Sequence, residues 1–128
     1  GYGESMMRLN DLKIIARHIK ETGGRVRVNT NGHANLIYRR NVAPELEGLV
    51  DVISISLNES SAEKYEQVCH PRFGLDTYYS ILNFAKECKL YIPKVILSVV
   101  DVISEEDIDM CRKMADNLDV EFRVRESI

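Results

Sequence analysis

An α/β chain built on a parallel sheet is what this sequence predicts, and three observations predict it. Helical stripes of apolar residues alternate with short β-branched runs, the connections between them are short, and two of the runs are apolar almost throughout. Strands buried on both faces and joined by helices are characteristic of parallel sheets.

The elements follow in order. Leu9, Leu12, Ile15, Ala16 and Ile19 recur at three- and four-residue intervals before Gly23 and Gly24, which predicts a helix over about residues 9 to 22 with a left-handed stop. In "RVRVNTNG", Val26 and Val28 form one buried face of a strand that leaves through an Asn31-Gly32 turn. The segment from Ala34 to Gly48 is ambiguous: "NLIYRR" suits a strand or a helix, and Pro44 with Gly48 favours a short helix. "LVDVISISLN" reads as a central strand. Ser60 and Glu63 have capping-box spacing for a short helix over 61 to 69, ended by Pro71 and Gly74. Asp76 is placed to cap the next helix, whose stripe takes Leu75, Tyr78, Tyr79, Leu82, Ala85 and Cys88. "PKVILSVVDV" is a further apolar strand. Ser104 and Asp107 then open a helix carrying Ile108, Cys111, Ala115 and Leu118, and "VEFRVRES" alternates as the last strand.

Composition narrows the function. With 17 basic against 20 acidic residues the formal net charge is −3, so no basic field gathers a phosphate backbone, and nucleic acid is not an expected partner. No apolar run approaches the roughly 20 residues that span a bilayer, and the start lacks signal-peptide order. The expectation is a single domain, residues 1 to 128, without a membrane partner and cytoplasmic. Cys69, Cys88 and Cys111 suit neither a disulfide framework nor a metal knuckle; Cys88 and Cys111 fall on helix stripes, where cysteine behaves as a small hydrophobe. No metal ligands are expected. Ser-His-Asp order, a P-loop and a histidine pair with metal spacing are all missing, so no catalytic residue is assigned.

The pattern permits a doubly wound open sheet or a section of a β/α barrel. Both place functional groups at the carboxyl ends of the strands. Those ends read Gly3-Glu4-Ser5, Asn29-Thr30-Asn31-Gly32, Ser54-Ile55-Ser56-Leu57-Asn58, Ser98, then Arg123 and Arg125, a polar rim.

Four stretches in this order resemble the radical S-adenosylmethionine superfamily, and within it the TatD-associated radical SAM proteins. "YGES" (Tyr2 to Ser5) resembles the Gly-Gly-Glu-Pro motif that ends the second barrel strand and holds the methionine amino group, with Tyr2 and Ser5 departing from it. "VRVNTNG" resembles the third strand and its exit. "VDVISISLN" resembles the fourth, which offers polar groups to the ribose and methionine, and "YEQVCHPRFG" with "LDTYYSIL" resembles the segment that follows. The resemblance covers nearly the whole chain. It implies a section of a partial (β/α)6 TIM-like barrel, here a parallel sheet of about four to five strands with flanking helices. It also implies S-adenosylmethionine and a [4Fe-4S] cluster as cofactors of an intact parent that generates a 5′-deoxyadenosyl radical, and the cofactor-binding candidates Gly3, Glu4, Asn29, Asn31, Ser56, Asn58 and Ser98.

The family's Cys-x3-Cys-x2-Cys cluster loop has no counterpart here, so the reading expects a C-terminal piece of such a barrel, inactive alone and with no cofactor of its own. Each candidate also has a plainer reading. Glu4 suits a helix-start acid, Asn31-Gly32 a simple turn, Asn58 a cap, His70 and Arg72 a surface loop, and Arg123 with Arg125 pairing to nearby acids. The substrate is unknown. The competing function is a noncatalytic α/β binding module that self-associates through an uncovered sheet edge.

Overall fold

The computed structural model describes residues 4–69, 71 and 73–127. Within them a four-stranded parallel sheet carries the strands in chain order: β1 (Arg27–Thr30), β2 (Val52–Ser56), β3 (Lys94–Val100) and β4 (Glu121–Arg125). The helices are α1 (Leu9–Glu21), α2 (Ala34–Tyr38), α3 (Ala62–Cys69), α4 (Asp76–Tyr91) and α5 (Glu105–Leu118). Short 3-10 turns at Ser5–Arg8 and Ala43–Leu46 complete the order.

Register pairing divides the sheet into two faces, because partners across a ladder point the same way and neighbours along a strand point oppositely. One face carries Val28, Ile53, Ile55, Val95, Leu97 and Val99, all in one apolar cluster with Leu9, Ala16, Ile81, Phe84, Cys88, Cys111 and Ala115 of the helices. The other face carries Asn29, Ser54, Ser56, Ser98, Arg123 and Arg125. Val52 and Ile96 on this second face are buried but lie outside the cluster. The helices therefore draw their core from one side of the sheet.

Local chemistry explains the boundaries. Gly24 N–H returns to the Ile19 carbonyl (2.9 Å) behind Gly23, whose φ is +81°, so the diglycine ends α1 as expected. Ser104 Oγ accepts from Asp107 N–H (3.1 Å), the expected cap of α5. Between β1 and β2 the ambiguous segment resolves into α2 and the 3-10 turn, with Pro44 inside that turn.

Four details differ from the sequence reading. Ile15 lies outside the stripe, 58% exposed, because Leu9, Leu12, Ala16 and Ile19 make a narrower row with Ile15 beside it. Leu75 and Tyr79 are likewise exposed, since α4 turns Tyr78, Ile81, Phe84 and Ala85 inward. The α3 cap is Ser61, whose Oγ accepts from Lys64 N–H (3.2 Å); Ser60 instead donates to Asp107 (2.8 Å) and ties the β2 exit to α5. Asp76 stands within the first turn of α4 and Leu75 precedes it without a side-chain cap.

Candidate functional site

The carboxyl end of the sheet is built around a carboxylate. Glu4 Oε2 accepts from Met6 N–H (2.8 Å) and from the Thr30 hydroxyl (2.7 Å), and Oε1 accepts from Asn31 N–H (2.6 Å). The helix-start reading of Glu4 holds: it caps the first 3-10 turn, and it also fastens that turn to the exit of β1. Asn31 Oδ1 then accepts from His33 N–H (3.1 Å), and Gly32 N–H donates to Thr30 Oγ (3.1 Å), so a tight polar turn follows the strand. Gly32 has a φ of +79°, and a Cβ there would lie 3.0 Å from Ile55 Cγ2 and 3.1 Å from Ile81 Cγ2. Glycine is required both for the backbone and for the close approach.

On the second strand, Ser56 is half-buried and its hydroxyl accepts from Arg125 (3.1 Å). Asn58 adopts φ +69°, a left-handed conformation that asparagine tolerates better than most residues. Its backbone turns beside β3, where the Ser98 carbonyl accepts from Leu57 N–H at 2.8 Å and from Asn58 N–H at 3.5 Å. Asn58 Oδ1 and Ser98 Oγ are both buried with no hydrogen-bond partner among the described residues. Such atoms carry a desolvation cost unless something pairs with them, and they sit at neighbouring strand ends.

Of the sequence-derived candidates, the structure therefore gathers Glu4 and Asn31 at the β1 exit, and Ser56, Asn58 and Ser98 at the β2 and β3 exits. Asn29 lies on the polar face of β1 one residue before Thr30, exposed. Gly3, His70 and Arg72 lie outside the described residues. The predicted alternation of β4 holds, with Arg123 and Arg125 exposed on the polar face.

Sequence reasoning missed three groups. His33 Nε2 lies 2.8 Å from the Tyr65 hydroxyl, and burial lowers the imidazole pKa despite the nearby Glu4 charge. Burial pushes the Tyr65 phenol up to about 12. Glu59, 8% exposed, has its carboxyl pKa raised by burial and by Asp107, partly offset by Lys64. The Glu59 carbonyl accepts from the Tyr78 hydroxyl (2.7 Å), which locks the β2 exit to α4. A polar residue three positions past a strand end was the available signal for His33 and Glu59, both overshadowed by the Asn-Gly and Ser-Leu-Asn patterns before them.

The cysteines do not converge. Cys88 and Cys111 are buried in the apolar layer on separate helices, where burial raises their thiols to about 12 and about 11, and Cys69 is exposed at the end of α3. Among the described residues no three metal-ligating side chains group together, and no helix is long and apolar enough to cross a membrane.

No protein-family model matches the chain. The chain is similar to an uncharacterized protein of Methanocaldococcus jannaschii, 31% identical over 99 residues. That match takes in 77% of this chain and 32% of the relative, so the chain spans about a third of the length of the curated relative it matches.

Proposed function

We propose that this sheet is a section of a partial (β/α)6 barrel of the radical S-adenosylmethionine type, and that its carboxyl strand ends hold the cofactor. The observation that carries the reading is the buried, unpartnered Asn58 Oδ1 at the β2 exit, on the strand where the sequence resemblance expects groups for the ribose. A lone amide oxygen needs a donor, and a ribose hydroxyl or an ammonium provides one. Two further features support it. Strands in unbroken chain order, with one apolar face under the helices and one polar face, suit a barrel wall whose polar side points inward. Glu4, held by three donors, fixes the turn that resembles the methionine-binding motif.

The residues present fit S-adenosylmethionine and do not fit the iron-sulfur cluster, because Cys88 and Cys111 are thiols sealed in the helix layer. A cluster in the parent would need ligands from outside residues 1 to 128. When bound with a reduced cluster, S-adenosylmethionine supplies the adenosyl radical that abstracts hydrogen from substrate. The part played by this chain is to position the nucleoside end at Asn58, hold the β1 exit through Glu4, and keep water from the covered strand ends.

The test is anaerobic iron-sulfide reconstitution of this chain beside a version extended upstream in its own reading frame, followed by a 5′-deoxyadenosine assay on both. The expected result is a cluster and product only with the extension, and about a tenfold loss of cleavage in its Asn58→Ala variant, as expected for one hydrogen bond to the cofactor. An extension that stays colourless overturns the enzyme reading and leaves the polar face to a noncatalytic binding module.

A further inference from the structure

We infer that the polar face at the β3 and β4 ends is an anion site that takes a carboxylate or phosphate group of the substrate, with Arg123, Arg125 and Ser98 as its donors. Ser56, Ser98 and Arg123 stand in one row across β2, β3 and β4. Arg125 lies one step further along β4, and its guanidinium reaches Ser56 on β2 at 3.1 Å. Since β3 lies between those strands, the Arg125 side chain spans the end of β3. Ser98 is 1% exposed, and its hydroxyl has no hydrogen-bond partner among the described residues.

Neither arginine has an ion-pair partner among the described residues. The nearby Asp101 carboxylate is engaged by Ser127 N–H (2.8 Å), and Glu121 pairs with Lys94 (3.5 Å) at the opposite end of the strands. Two guanidinium forks and a spare hydroxyl proton on one face of a chain with net charge −3 are a local excess of donors. An anion accepts from all three, whereas Asn58 Oδ1, an acceptor, needs the opposite chemistry. The two orphan atoms thus divide the carboxyl strand ends into a cofactor side at the β2 exit and a substrate side at β3 and β4. The anion site shares the face of the cofactor reading and does not require the cofactor.

The test is an amide-shift NMR titration of the 128-residue chain with inorganic phosphate and, separately, with succinate, at ionic strength held constant with sodium chloride. Saturable shifts confined to the ends of β3 and β4 are expected with at least one probe, and the responding probe tells phosphate from carboxylate. The Arg123→Gln/Arg125→Gln pair should weaken that binding by about tenfold, and Ser98→Ala by about threefold while raising Tm, since it removes an unsatisfied hydroxyl. Arg123→Lys/Arg125→Lys keeps the charge and should bind in between, which covers the case of a glutamine pair that fails to fold. Absence of saturable shifts with both probes overturns the site, as do unchanged affinities in the arginine variants. Neither probe contains a nucleoside or sulfonium, so this result stands or falls separately from S-adenosylmethionine cleavage.

Discussion

The two faces of the sheet use the same backbone differently. On one, Ile53, Ile55, Leu97 and Val99 are fully buried in the apolar cluster with the helices. On the other, one residue along, Ser98 is almost as deeply buried yet its hydroxyl bonds nothing among the described residues, and Ser56 is held by an arginine from two strands away. Burial alone therefore does not separate scaffold from site. What separates them is whether the buried atoms are satisfied, and a shift of one residue along β3 crosses that boundary.

The sharpest test of this contrast is a pair of neighbours. Leu97→Ala should destabilise by about 3 kcal/mol in urea unfolding, the usual cost of a cavity in a packed core. A loss below about 1 kcal/mol would mean that the helices do not pack on that face as described. Gly32→Ala comes next, at about 2 kcal/mol, because it adds left-handed strain to a clash with Ile55 and Ile81 at the seam between the two faces. Thermal unfolding reads it, and a neutral result would refute the close approach.

A smaller effect falls on the rim of the helix layer. Glu45 accepts from Arg40 at 2.7 and 3.0 Å and from Lys13, and these partners hold its carboxyl down to about 2 against an ordinary 4.5. A folded pKa below the unfolded one means that this contribution is complete above about 4.5 and fades as pH falls toward about 2. Glu45→Gln should flatten the acid limb of a stability-pH curve in that window; an unchanged slope would show that the pairs are screened. Glu59 has the opposite sign, its raised pKa favouring the folded state as pH falls. The smallest change is Ser98→Ala, expected to stabilise by less than about 0.5 kcal/mol, against the large loss at Leu97 beside it.

Part of the scaffold was legible because α1 carried its own stop and α5 its own start in sequence. The diglycine at Gly23-Gly24 and the Ser104-to-Asp107 cap needed no tertiary partner to be read. Ile15, Leu75 and Tyr79 were misjudged because apolar periodicity reports a helix face without saying how wide a strip the sheet will cover. Ser60 was misjudged because its true partner, Asp107, lies 47 residues away. For the site, alternation placed Ser56 on the polar side of β2 and the two arginines together on β4; Asn58, expected on the same face, lies past the end of β2. Alternation could not show that Arg125 reaches back to Ser56, that Asn58 turns left-handed, or that His33 meets Tyr65, since each depends on strand order and on turns closed by distant groups.

The contact between Arg125 and Ser56 also has a consequence for the order in which the molecule is completed. It joins residues 69 apart, and its donor stands on β4, an edge strand whose residues are exposed apart from the half-buried Phe122. During synthesis strands β1 to β3 emerge and can pair before Arg123 and Arg125 leave the ribosome, so this pair of cations joins the polar face after Ser56 and Ser98 are in place. Edge strands also open most readily in the folded state. An anion held by Arg123 and Arg125 would clamp β4 to β3, and hydrogen exchange at the end of the chain would slow as the site fills.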